Sequence, residues 1–78
     1  MKIIKIKENS LGQEIGLKSG DRLIKINGER VLDHLDYEFK IADENVTLDF
    51  QIEGKMNQVI VEKNYDDDLG VEFEEMKI

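Results

Sequence analysis

The chain has 78 residues, with 11 Lys and Arg against 18 Asp and Glu, a formal net charge of −7, and neither cysteine nor proline. That length makes one domain with a modest core, and the missing thiols exclude a disulfide framework, a thiolate metal site and an iron–sulfur ligand set. The acidic balance repels phosphate, so nucleic acid and anionic membranes are not expected partners, and no apolar run is long enough to span a bilayer.

The opening Met1 to Lys7 stretch carries charges but no apolar h-region, so it does not read as a signal peptide, and a cytoplasmic location is expected. Lys2 to Lys7 is expected as the first strand, with Ile4 and Ile6 alternating against Lys5 and Lys7. Ile3 breaks that alternation and is expected to cover the sheet edge or a second face. Ser10 is a candidate cap for a short helical turn over Leu11 to Ile15, stopped by Gly16. Leu11, Ile15 and Leu17 are expected to close one end of the core.

The stretch from Gly16 to Val31 carries the strongest local signals. Gly16 and Gly20 bracket Leu17-Lys18-Ser19 and allow a sharp turn into a strand. Asp21 is placed to accept hydrogen bonds from loop amides. Leu23, Ile24 and Ile26 form a compact apolar run that favours a buried strand. Asn27-Gly28 then predicts a hairpin, because both central residues of a type I′ turn need positive φ.

Asp33 predicts the N-cap of a longer helix from His34 to about Ala42, with Asp36 favourable to its N-terminus. Leu35, Phe39 and Ala42 recur at i, i+4 and i+7 and are expected as its apolar face. Leu32 is placed to staple the entry. In Val46 to Ile52, Val46, Leu48, Phe50 and Ile52 point one way, and Thr47, Asp49 and Gln51 the other. Glu53-Gly54 turns the chain into a returning strand, Gln58 to Lys63, with Val59 and Val61 inward. A polar loop from Asn64 to Asp68 leads to a last strand at Leu69 to Phe73.

The Gly20-Asp21-Arg22-Leu23-Ile24-Lys25-Ile26-Asn27-Gly28 run resembles the Gly-Asp-x-[Ile/Leu]-x-x-[Ile/Val]-Asn-Gly core of PDZ domains, whose next apolar position falls on Val31. Asn9-Ser10 through Gly16-Leu17 resembles the lead-in of bacterial members. Leu69-Gly70-Val71 resembles the family's x-Φ-Gly-Φ loop, here near the end of the chain. That is the circularly permuted order of bacterial PDZ domains in membrane-embedded and C-terminal processing proteases. The resemblance implies an α+β fold, a small β-barrel or sandwich of five to six strands with two helices. It also implies one PDZ-like domain over 1–78, excised from a longer protein. A subset is closer still. Asp33 to Phe39, above all Asp36-Tyr37-Glu38-Phe39, together with Leu69-Gly70-Val71-Glu72-Phe73, resembles the N-terminal module of bacterial radical-SAM-like iron–sulfur proteins.

What the resemblance implies for function is peptide binding by strand addition. Leu69, Gly70 and Val71 would form a loop whose amides hold a terminal carboxylate. Val71, Glu72 and Phe73 would form the receiving strand, and His34, Glu38 and Ile41 the opposite wall. In one class of the family a histidine at the first position of this helix contacts a ligand hydroxyl; from the residues alone, His34 is an exposed helix-start residue. Asp66-Asp67-Asp68 disfavours an incoming carboxylate and points to a basic or internal segment. The expected partner is an extended peptide segment or C-terminus, or the downstream domain of the same chain. A monomer is expected, with dimers open through edge-strand pairing.

No cofactor or catalytic group is expected. There is one histidine, and Ser10 and Ser19 have no evident base partner. Asn64, Asp66, Asp68 and Glu75 approach the spacing of a calcium loop, but Leu69 stands where glycine is required. A solvated acidic turn is the expectation there, and no metal site is assigned.

Overall fold

The computed structural model describes residues 1–74. Its elements run β1 (Ile3–Ile6), α1 (Leu11–Glu14), β2 (Arg22–Ile26), β3 (Glu29–Arg30), α2 (His34–Ile41), β4 (Asn45–Ile52), β5 (Lys55–Glu62) and β6 (Val71–Phe73). This is the expected α+β class, with six strands in two sheets and two helices.

Two tight turns build the larger sheet, whose order is β3-β2-β4-β5 with every pair antiparallel. Asn27 and Gly28 hold φ of 53° and 80°, and Glu53 and Gly54 hold 50° and 80°. Two successive left-handed residues give the type I′ turn that suits the strand twist. Asn27 also donates its N–H to the Thr47 carbonyl (2.7 Å) and accepts from the Thr47 N–H through Oδ1 (2.8 Å), which ties the first turn to β4. The tight second turn lets β5 begin at Lys55, three residues before the expected start.

The smaller sheet pairs β1 with β6, antiparallel. It joins the larger one where the Ile3 N–H donates to the Asp21 carbonyl (2.8 Å) and the Gly20 N–H donates to the Ile3 carbonyl (2.7 Å). Asp21 is buried and accepts from the Lys18 N–H (2.9 Å), as its place after Gly20 predicted.

The core takes Ile3, Leu23, Ile26, Val46, Leu48, Phe50 and Leu69 fully out of water. β4 follows its alternation closely. β1 does not: Ile3 is buried and Ile4 is half exposed, the reverse of the expected Ile4 face. The cause is a register shift between Ile3 and Lys5. A bulge of this kind adds a residue to one strand and resets which side chains face inward.

Both helix caps form as expected. Ser10 Oγ accepts from the Gln13 N–H (3.2 Å), and Asp33 Oδ1 accepts from the Asp36 N–H (2.7 Å). Leu11 and Ile15 pack half-buried against the core beside Leu17. The buried face of α2 differs from the expected one. Tyr37 and Ile41 point into the core, while Leu35 is 74% exposed and Phe39 82%. Two apolar i, i+4 pairs stand on this helix, offset by two residues and so by about 200°. Periodicity defines both stripes and does not choose between them. Leu32 is exposed too, so no staple forms. Its N–H instead donates to Asp36 Oδ2 (2.9 Å).

Lys40 pins α2 to β3. Its Nζ donates to Asp36 (2.7 Å) and to the Arg30 carbonyl (3.2 Å), with Glu29 at 3.7 Å. The hydrogen bond from Lys40, then that from the Leu32 N–H, hold the Asp36 carboxyl below its usual 3.8. A lowered carboxyl pKa stabilises the fold above the ordinary carboxylate range, and that stabilisation is lost as pH falls through the lowered value. Asp36→Ala is therefore expected to lower the urea midpoint at neutral pH and to flatten its fall below pH 3.8. Parallel pH curves for the two proteins would show that the pair contributes nothing.

Candidate peptide-binding site

The segment from Asp68 to Phe73 is held on several sides by its own chain. The Gly12 N–H donates to the Leu69 carbonyl (2.8 Å) and the Lys7 N–H to the Gly70 carbonyl (3.0 Å). Gly12 is glycine for a packing reason. A Cβ there would lie 2.7 Å from Val71 Cγ1 and 2.9 Å from the Leu69 carbonyl oxygen. α1 thus presses directly on the start of β6.

Two of the three amides assigned to a ligand carboxylate already have partners. The Leu69 N–H donates to the Tyr37 hydroxyl (3.2 Å), and the Gly70 N–H donates to Asp68 Oδ1 (2.8 Å). Asp68 is itself a carboxylate, so it sits where a ligand's terminal group would be expected.

β6 still offers an edge. Lys7 pairs through a hydrogen bond with Gly70, and the register continues through Ile6–Val71 and Lys5–Glu72. Antiparallel pairs alternate between bonded and non-bonded, so Val71 and Phe73 turn their N–H and C=O groups away from β1. Among the described residues no strand pairs with that side.

Side chains close much of the space between β6 and α2. The Phe73 and Tyr37 rings meet edge to face with centroids 4.8 Å apart. Leu69, Phe73 and Ile41 are buried in the core. Ile41 was expected on the groove wall; at 4% exposure it is part of the core, on the same buried stripe of α2 as Tyr37. His34 and Glu38 are exposed on α2 and pair with each other, Nε2 to Oε1 at 3.2 Å. Val71 is half-buried and Glu72 exposed. Burial pushes the Tyr37 phenol up to about 12, so it stays neutral and able to accept from the Leu69 N–H.

Tyr37 and Asp68 were not assigned these roles from sequence. Tyr37 stood in the most diagnostic tetrapeptide, and its hydroxyl, once buried, needs a partner; that was the available signal. Glu75, part of the calcium-loop spacing, lies outside the described residues.

The family model for the PDZ domain matches residues 2–52. The chain belongs to the PDZ domain family. Comparison with curated proteins gives no match. The matched part of this PDZ domain runs from β1 through β4 and contains the whole Gly20 to Gly28 core and α2. β5 and β6 follow it. PDZ domains are in general non-catalytic, peptide-binding modules, which makes the edge of β6 beside α2 the place to test first. Among the described residues, no helix is long and apolar enough to cross a membrane.

Proposed function

We propose that this PDZ domain binds an extended internal segment, basic in character, as an added strand on the Val71–Phe73 edge, with His34 and Glu38 on the facing helix. The observation that carries the reading is the outer edge of β6, which has backbone groups to offer while the Leu69 and Gly70 amides are taken. Main-chain hydrogen bonds would supply the affinity. A terminal carboxylate would have to displace Asp68 and enter beside Asp66, Asp67 and Glu14, which line an open cleft next to Gly70.

Amide NMR titration tests this with short Lys-containing and Glu-containing peptides, each with free and amidated C-termini. The Lys peptides are expected to shift Val71 to Phe73 together with His34, with amidation making little difference. Asp68→Ala frees the Gly70 N–H. The variant is expected to favour the free carboxylate over the amide by about tenfold, the worth of one charge-assisted hydrogen bond. Equal behaviour of the variant and the parent would remove Asp68 from the site.

A second reading is a docking module whose groove is unused or filled by its own downstream chain. The packing of Tyr37, Phe73, Ile41 and Leu69 against one another favours it. No shifts in either region would select it. In both readings we take the strand order as a circular permutation and the chain as a cytoplasmic module of a larger bacterial protein of the radical-SAM-like type. Cluster chemistry would belong to other parts of that host, since this segment has no cysteine.

A further inference from the structure

The face of α2 turned away from the core is apolar without an internal reason. Leu35 and Phe39 lie on it at i, i+4, and both are largely exposed. They line an open cleft of about 630 Å³ together with Ile26, Ala42 and Tyr65. Tyr65 is also exposed, so the cleft's large side chains pack on little of their own chain. Exposed apolar patches rimmed by polar groups mark interaction sites.

The rim decides what fits. Glu29, Glu38 and Asp43 stand around the cleft, and Asp66 to Asp68 follow Tyr65 directly. Lys40 is the one cation among the lining residues, and its charge is already engaged by Asp36 and Glu29. The field over the cleft is therefore negative. A second copy would bring the same rim and a further net charge of −7. Phosphate-bearing surfaces are repelled for the same reason.

We infer that the Leu35/Phe39 cleft is a second docking surface, for a protein segment carrying a large apolar side chain flanked by lysine or arginine. The apolar anchor enters the cleft and the flanking cations meet Glu29, Glu38 and Asp43. This surface lies on the opposite side of α2 from Tyr37 and Ile41; it shares Glu38 with the β6 groove, so Phe39, Ala42 and Tyr65 report on the cleft and Val71 to Phe73 on the groove.

The test is an amide NMR titration with an acetylated, amidated Gly/Ser peptide bearing one Phe flanked by Lys. Two controls carry Glu in place of Lys, or Ala in place of Phe. Shifts are expected at Leu35, Phe39, Ala42 and Tyr65, with both controls weaker by about tenfold or more. Added salt is expected to weaken the Lys peptide. The double substitution Leu35→Gln and Phe39→Gln changes only exposed side chains to another good helix former, so the amide spectrum elsewhere should be kept while these shifts are lost. Four results overturn the inference: equal binding of the Lys and Glu peptides, shifts confined to Val71 to Phe73, patch shifts that depend on protein concentration without peptide, or no shifts at all. The second would leave the β6 edge as the binding surface; the third would assign the cleft to a second copy.

Discussion

Gly70→Ala is expected to destabilise the domain by about 2–4 kcal/mol, combining left-handed strain with overpacking. Gly70 holds φ at +68°, and a Cβ there would run into Ser10 Cβ, with Ser10 Oγ at 3.3 Å. Ser10 cannot easily give way. It caps α1 through the Gln13 N–H, and its hydroxyl donates to the Lys7 carbonyl (2.7 Å). Relief must come from the loop moving off α1, which would break the Lys7–Gly70 and Gly12–Leu69 hydrogen bonds that hold β6. Stability and peptide binding should therefore fall together. Gly54→Ala is the control. It has φ of +80° but nothing within 4 Å of the added Cβ, so only the backbone term applies, about 1–2 kcal/mol. Urea unfolding of the two variants separates the terms. Equal losses would mean that the contact with Ser10 costs nothing.

Tyr37 carries the second large effect. Tyr37→Ala removes a buried ring from Phe73 and should cost about 3–5 kcal/mol. Tyr37→Phe keeps the ring and removes the acceptor of the Leu69 N–H, which is buried; that should cost about 1–3 kcal/mol. The two variants divide packing from hydrogen bonding at the same position. Alkaline pH supplies an independent check. The folded phenol, at about 12, lies above its ordinary 10.0. Its stabilisation is therefore full below 10.0 and is lost as pH rises toward 12. Urea midpoints of the parent should fall over that interval, and those of Tyr37→Phe should fall less. The same variant releases the Leu69 amide for a ligand. If it binds peptides no better than the parent, the Leu69 N–H is not part of the recognition surface.

The apolar face of α2 shows where the limit of sequence reasoning lies. Leu35/Phe39 and Tyr37/Ile41 are equally regular stripes; the first was expected against the core, and the second is the one buried there. The buried stripe has long-range partners that the other lacks: the Tyr37 hydroxyl accepts from the Leu69 N–H, 32 residues away, and its ring meets Phe73. The same kind of limit applies to β1. Its alternation is right for a regular strand, and one inserted residue reverses the outcome at Ile3 and Ile4. For the candidate site, the strand and helix that frame it were legible, but the state of the loop amides was not. Whether a backbone N–H is open or capped depends on which side chain arrives from elsewhere.

Features decided over a few residues were determined by the sequence alone. Asn27-Gly28 and Glu53-Gly54 make their hairpins because two adjacent residues must hold positive φ. Ser10 and Asp33 start their helices because a short polar side chain reaches the N–H three residues on. Val46, Leu48 and Phe50 share a buried face because strand side chains alternate. The Gly20 to Gly28 core pointed to the PDZ family from the same local chemistry. Only the tertiary structure decided which stripe of α2 is buried, that Asp68 and Tyr37 occupy the loop amides, and that Leu35 and Phe39 are left to solvent. Those outcomes are set by packing between elements far apart in the chain, where competing local patterns are equally good and long-range contacts choose between them.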